Sequence, residues 1–125
     1  MRPMNATELI RMTSFHDSSI TELSMDGDHI NVRFEDVWVD DDNCYKVAVD
    51  LRGVRKVIRN HEVVRSLGME GEFAGVIAFR RSDHTAALAV DWCSFAPRKD
   101  EFCSYEFDFD TFEMRAEKQE QAEGE

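Results

Sequence analysis

From Cys103 to Asp110 the chain reads Cys-Ser-Tyr-Glu-Phe-Asp-Phe-Asp. In an extended strand successive side chains point to opposite faces. Tyr105, Phe107 and Phe109 then share one face, and Glu106, Asp108 and Asp110 share the other. A helix would scatter these residues around its axis, so the segment predicts a half-buried strand.

The same period recurs through most of the chain. It predicts strands over 20–25 and 29–39, joined by Asp26-Gly27-Asp28, where Asp-Gly supplies the backbone freedom of a tight hairpin turn. In the second strand Ile30, Val32 and Phe34 alternate with Asn31, Arg33 and Glu35. The alternation slips at Asp36 before Val37-Trp38-Val39, which predicts a bulge. After the charged turn Asp40-Asp41-Asp42-Asn43 the pattern is cleanest: Tyr45, Val47, Val49 and Leu51 alternate with Lys46, Ala48, Asp50 and Arg52. Gly53 interrupts this strand, which is expected to continue through Ile58. Further strands are predicted over 73–80, 85–92 and 102–112. Ala86, Leu88, Val90 and Trp92 fall on one face, and residues 95–100 read as a loop.

Two short helices are expected. One is capped by Asn5 or Thr7 and ends near Met12. The other is capped by Asn60 and closed by Gly68, with Val63, Val64 and Leu67 on one side. The predicted fold is mainly β: an antiparallel β-sandwich or open barrel of about six strands with one or two short helices. Alternation of this kind belongs to sheets with one wet face. Residues 1–113 are expected to form a single β-rich domain. Residues 114–125, rich in Glu, Gln, Ala and Lys without an apolar stripe, are expected to be an acidic solvated tail, helical or disordered.

Composition narrows the partners. The chain has 125 residues, a formal charge of −11 and 42% hydrophobic residues. That is one domain with a core that needs no staples. Phosphate backbones require a positive face, so a nucleic-acid partner is not expected, nor is an anionic membrane surface. No stretch approaches the roughly 18 apolar residues of a membrane span. Residues 1–12 hold no long apolar run, so no signal peptide is expected and the location is read as cytoplasmic. Cys44, Cys93 and Cys103 are odd in number and form no C-x-x-C, so neither a disulfide nor a zinc site is expected. Cys93, beside Trp92, is read as core.

Candidate chemistry is sparse. His16-Asp17 is the first candidate, because a histidine and a carboxylate can move a proton or bind a ligand. The competing reading is structural: Phe15 anchors the loop, and Asp17 closes the turn by accepting from the backbone after it. The acidic runs Asp40-x-Asp42-x-Cys44 and Asp26-x-Asp28-x-Ile30 fail at the third ligand of a calcium loop. His29, His61 and His84 fall at predicted turns or helix starts. Cys93 with His84 carries no nucleophile signature. No catalytic residue, metal site or cofactor is expected.

Phe15-His16-Asp17, a hairpin of two alternating strands, and a strand ending Leu51-Arg52-Gly53-Val54 together resemble small bacterial β-proteins that open with Phe-His-Asp. Some of those proteins are grouped with the immunity proteins of toxin systems. The resemblance spans residues 15–58. It implies a non-enzymatic, immunity-like protein-interaction module, with a protein partner or self-association. The alternative is a small-ligand-binding protein or enzyme with a site near His16 and Asp17.

Overall fold

The computed structural model describes residues 12–119. A four-residue 3-10 helix, Met12–Phe15, leads into nine strands. They are β1 (Ser19–Asp26), β2 (His29–Trp38), β3 (Cys44–Arg52), β4 (Lys56–Arg59), β5 (Glu62–Val64), β6 (Phe73–Arg81), β7 (Thr85–Phe95), β8 (Arg98–Asp108) and β9 (Thr111–Lys118). All pair antiparallel in one sheet of order β5-β4-β8-β7-β6-β1-β2-β3-β9, which does not close.

The fold is therefore mainly β and antiparallel, but two finer expectations change. There are nine strands rather than about six, and of the two forms expected, sandwich or open barrel, the single unclosed sheet excludes the two-sheet sandwich. Among the described residues the 3-10 helix is the only helical element. Two of the three extra strands come from bends: β3 and β4 are one run of chain turned at 53–55, and β8 and β9 are one run turned at 109–110; the third, β5, stands where a helix was expected. The bends pair with each other, with Asp110 N donating to Arg52 O at 3.0 Å and Arg55 N to Asp108 O at 2.8 Å. At the opposite side β1 and β6 share a single bridged pair, Ser19 and Gly75. The sheet thus curls until its two halves face each other. Phe79 of β6 lies 6.4 Å from Phe112 of β9 across that interior.

Gly53 makes the first bend possible. Its φ is +65°, and a Cβ there would sit 2.8 Å from the Asp110 Cβ. Both the backbone conformation and the space exclude a side chain. Gly53→Ala is expected to cost more than about 1 kcal/mol in a urea melt, beyond what a glycine replacement at a compatible site would change.

The helix predicted over 60–68 is instead a hairpin. Asn60 and His61 both adopt positive φ, 49° and 71°, the conformation of a tight hairpin turn that Asn tolerates well. Val57 pairs with Val64 and Ile58 with Val63. Pairing to β8 supplies more backbone hydrogen bonds than an isolated two-turn helix could. The N-terminal helix falls outside the described residues, except that Met12 opens the 3-10 helix. Residues 114–118, assigned to the tail, extend β9 alongside β3 through the Tyr45–Lys118 pair. The loop expected over 95–100 shrinks to Ala96–Pro97, a cis peptide, between β7 and β8.

Other expectations are met. The bulge at Asp36 is present, with φ 59° and a register shift between Phe34 and Val37. Tyr105, Phe107 and Phe109 are at most 1% exposed, whereas Glu106 and Asp110 are exposed and Asp108 is intermediate. β8 lies between β4 and β7. The core centres on Phe15, Phe34 and Phe79, with ring centroids 4.8 to 5.3 Å apart.

Candidate functional site

Phe15 behaves as an anchor and is fully buried. His16 and Asp17 are exposed, with side chains at 64% and 86% of full accessibility. His16 Nδ1 lies 2.8 Å from Ile77 O, and the two side chains approach to 3.6 Å. Asp17 does not close the turn through its carboxylate. Ser18 does, donating both its N and its Oγ to Phe15 O. Asp17 N donates to Val76 O, and its φ of 67° is a conformation that Asp adopts at modest cost. Neither side chain lines the cleft over Lys56 and Arg80, the one over Arg33 and Lys46, or the one at Trp38 to Asp41.

The interior holds a polar cluster that sequence pattern does not show. Arg59 of β4 pairs beside Tyr105 of β8 and faces inward. Glu70 folds in from the loop after β5. Arg59 Nε donates to Glu70 Oε2 at 2.6 Å, and Tyr105 OH donates to the same oxygen. Trp92 Nε1 donates to Tyr105 OH at 3.1 Å. Burial acts to raise Glu70, but hydrogen bonds from Arg59 and Tyr105 outweigh it and hold the carboxyl below its ordinary range. Burial and Glu70 push the Tyr105 hydroxyl up.

Glu70, Glu101 and Cys103 place ligand atoms within 4.8 Å of one another, as a metal would require. The Arg59 guanidinium already fills that space: its terminal nitrogen is 3.5 Å from Glu101 and 3.4 Å from the Cys103 sulfur. Burial also raises the Cys103 thiol, which opposes the thiolate that a metal needs. A fixed internal cation balances these acids, so the cluster reads as a structural plug.

The outer surfaces of the two sheet halves differ sharply. Over β1, β2, β3 and β9 the outward residues are mostly polar, Trp38 apart, and several are cross-linked by ion pairs. Arg33 meets Glu22 at 3.1 Å, Lys46 meets Glu35 at 3.6 Å, and Arg52 meets Glu113 at 3.6 Å. Asp50, 4% exposed, accepts from His29, Asn31 and Arg115. Burial acts to raise its pKa, and the bonds from Asn31 and His29 lower it below the ordinary value.

Over β5, β4, β8, β7 and β6 large apolar side chains are interspersed with charged ones such as Lys56, Arg80, Asp91 and Glu106. Seven large apolar side chains are exposed among the described residues, and five lie on this half: Val63, Phe73, Ile77, Phe95 and Phe102. Phe73 is 49%, Phe95 59% and Phe102 55% exposed. They surround Cys93, which faces outward and is half-buried rather than core. Phe73 pairs directly with Cys93, Phe95 is two residues along the same strand, and Phe102 pairs with Asp91. At the other end of the face, Lys56, Ile58, Arg80, Ala87 and Glu106 line a shallow cleft of 490 Å³.

The sequence carries a signal for this face. Residues 73–79 read Phe-Ala-Gly-Val-Ile-Ala-Phe and residues 86–90 read Ala-Ala-Leu-Ala-Val. Unbroken apolar runs belong to strands covered on both faces, not to strands with one wet face. Here the second face has no cover among the described residues.

No protein-family model, curated protein or solved structure matches this chain. No helix among the described residues is long and apolar enough to cross a membrane.

Proposed function

We propose that this protein is a non-enzymatic interaction module that docks a basic protein through the outer face of β6, β7 and β8. One observation carries the reading: among the described residues five of the seven exposed large apolar side chains collect on one sheet half, and Phe73, Phe95 and Phe102 group there around Cys93. Aromatic residues concentrated on a flat patch are the usual mark of a protein interface. A formal charge of −11 steers encounter toward a positively charged partner. The resemblance at residues 15–58 points the same way, toward an immunity-like role in which the partner is a toxin domain.

The test is a photo-cross-linking amino acid placed in cells at Phe102 on the apolar face and, separately, at Arg115 on the polar face. A discrete cross-linked product from position 102 alone is expected. Phe73→Ser should abolish that product while shifting the stability of the free protein by no more than about 0.5 kcal/mol, because the ring is half exposed. Equal products from both positions, or persistence in Phe73→Ser, would reject the docking face.

A further inference from the structure

Asp91 sits in the middle of this aromatic patch. It pairs with Phe102 on one side and with Gly75 on the other. Gly75 has no side chain to stand beside it. Phe73 fills that space, with its Cε1 atom 3.9 Å from where a Gly75 Cβ would be. An exposed carboxylate is thus flanked by two half-exposed rings, with Ala89 and Cys93 along its own strand. The Asp91 carboxylate forms no ion pair or hydrogen bond with any described residue. The nearby Arg98 is already paired, at 3.5 Å from Asp100.

Burying an uncompensated carboxylate under a partner costs several kcal/mol, so an apolar occupant would be rejected here. A cationic side chain removes that cost. Its charge meets the carboxylate, and its stem and charge centre both interact favourably with the flanking ring faces. We infer that Asp91, Phe73 and Phe102 form a receptor for one lysine or arginine side chain of the partner, and that Asp91 determines specificity. The inference rests on the docking reading above and names the anchor it uses. A second copy of this chain centred on the same patch would set Asp91 against Asp91, because Lys56 and Arg80 stand at the other end of the face.

The full chain, labelled with nitrogen-15, is titrated with N-acetyl-arginine methylamide, and amide shifts are followed by NMR. N-acetyl-norleucine methylamide is the neutral control. Shifts should cluster on Gly75, Asp91, Cys93 and Phe102 with the arginine probe and be much smaller with norleucine. Asp91→Asn should weaken probe binding about two- to five-fold, the range for an exposed charge pair. Phe102→Leu should weaken it by a similar factor. Sedimentation should show a monomer for the native chain and stronger self-association for Asp91→Asn. Shifts centred elsewhere, equal response to norleucine, unchanged affinity in Asp91→Asn, or a native dimer would each overturn the inference. A cross-link from position 102 that persists alongside unchanged probe affinity in Asp91→Asn rejects this anchor and leaves the docking face standing. Loss of the cross-link with probe binding retained rejects the docking face instead.

Discussion

Phe107→Ala is expected to lower the unfolding free energy by about 3–5 kcal/mol, the usual range for removing a buried phenyl ring. Phe107 is 1% exposed and stacks beside Tyr105, with ring centroids 6.2 Å apart. The strand carrying it is held on both sides by β4 and β7, so the surroundings have little freedom to collapse into the cavity. Phe102→Ala on the same strand is the internal comparison. That ring is 55% exposed on the opposite face, and its removal is expected to change stability by no more than about 0.5 kcal/mol. Urea melts of the two variants check both numbers. Equal effects would mean that β8 does not present these faces as described.

The second large effect is expected at Arg59. Arg59→Ala leaves Glu70 facing Tyr105, Glu101 and Cys103 with no cation among them. Breaking a buried ion pair costs about 3–5 kcal/mol, and a loss of about 2–4 is expected here because both side chains keep a quarter or more of their surface wet. Arg59→Lys should recover only part of this, since an ammonium cannot reproduce the two-pronged contact with Glu70.

Acid should act on the same cluster. The Glu70 and Asp50 carboxyls are lowered in the folded state from ordinary values of 4.5 and 3.8. A lowered carboxyl contributes stability that is complete above its unfolded value and disappears as pH falls through its folded value. The unfolding midpoint should therefore decline as pH drops below about 4.5. In Arg59→Ala the Glu70 share of that decline should shrink, because the strongest group lowering its carboxyl is gone. Urea midpoints between pH 7 and pH 3 for the native chain and the variant decide it. An identical acid dependence would show that Glu70 is not held by Arg59.

Which residues line the core was legible because burial on one face imposes a period of two. Tyr105, Phe107 and Phe109 announce themselves that way, as do Tyr45, Val47, Val49 and Leu51. The Asp36 bulge was legible for the same reason, as a break in the period. Residues 60–68 misled because Asn caps helices and also adopts the positive φ of a tight turn. Only the neighbouring β8 strand selects the turn. The bends at Gly53 and Asp110 split two runs of chain into four strands; the odd-numbered alternation continues across Gly53, whereas at Asp110 the inward set passes from Phe109 to Phe112, Met114 and Ala116.

By itself, then, the sequence determined the strand class, the inward-facing residues and the acidic balance, since each depends on local geometry or on simple sums. The tertiary structure decided what depends on residues distant in the chain. Arg59, Glu70 and Cys103 meet only because β4 pairs with β8 and the loop after β5 brings Glu70 back against them. Asp91 comes to stand between Phe73 and Phe102 only through the register of β6, β7 and β8. Strand pairing across long separations is set by the mutual fit of whole strands, so no short-range pattern encodes which neighbour each residue will have.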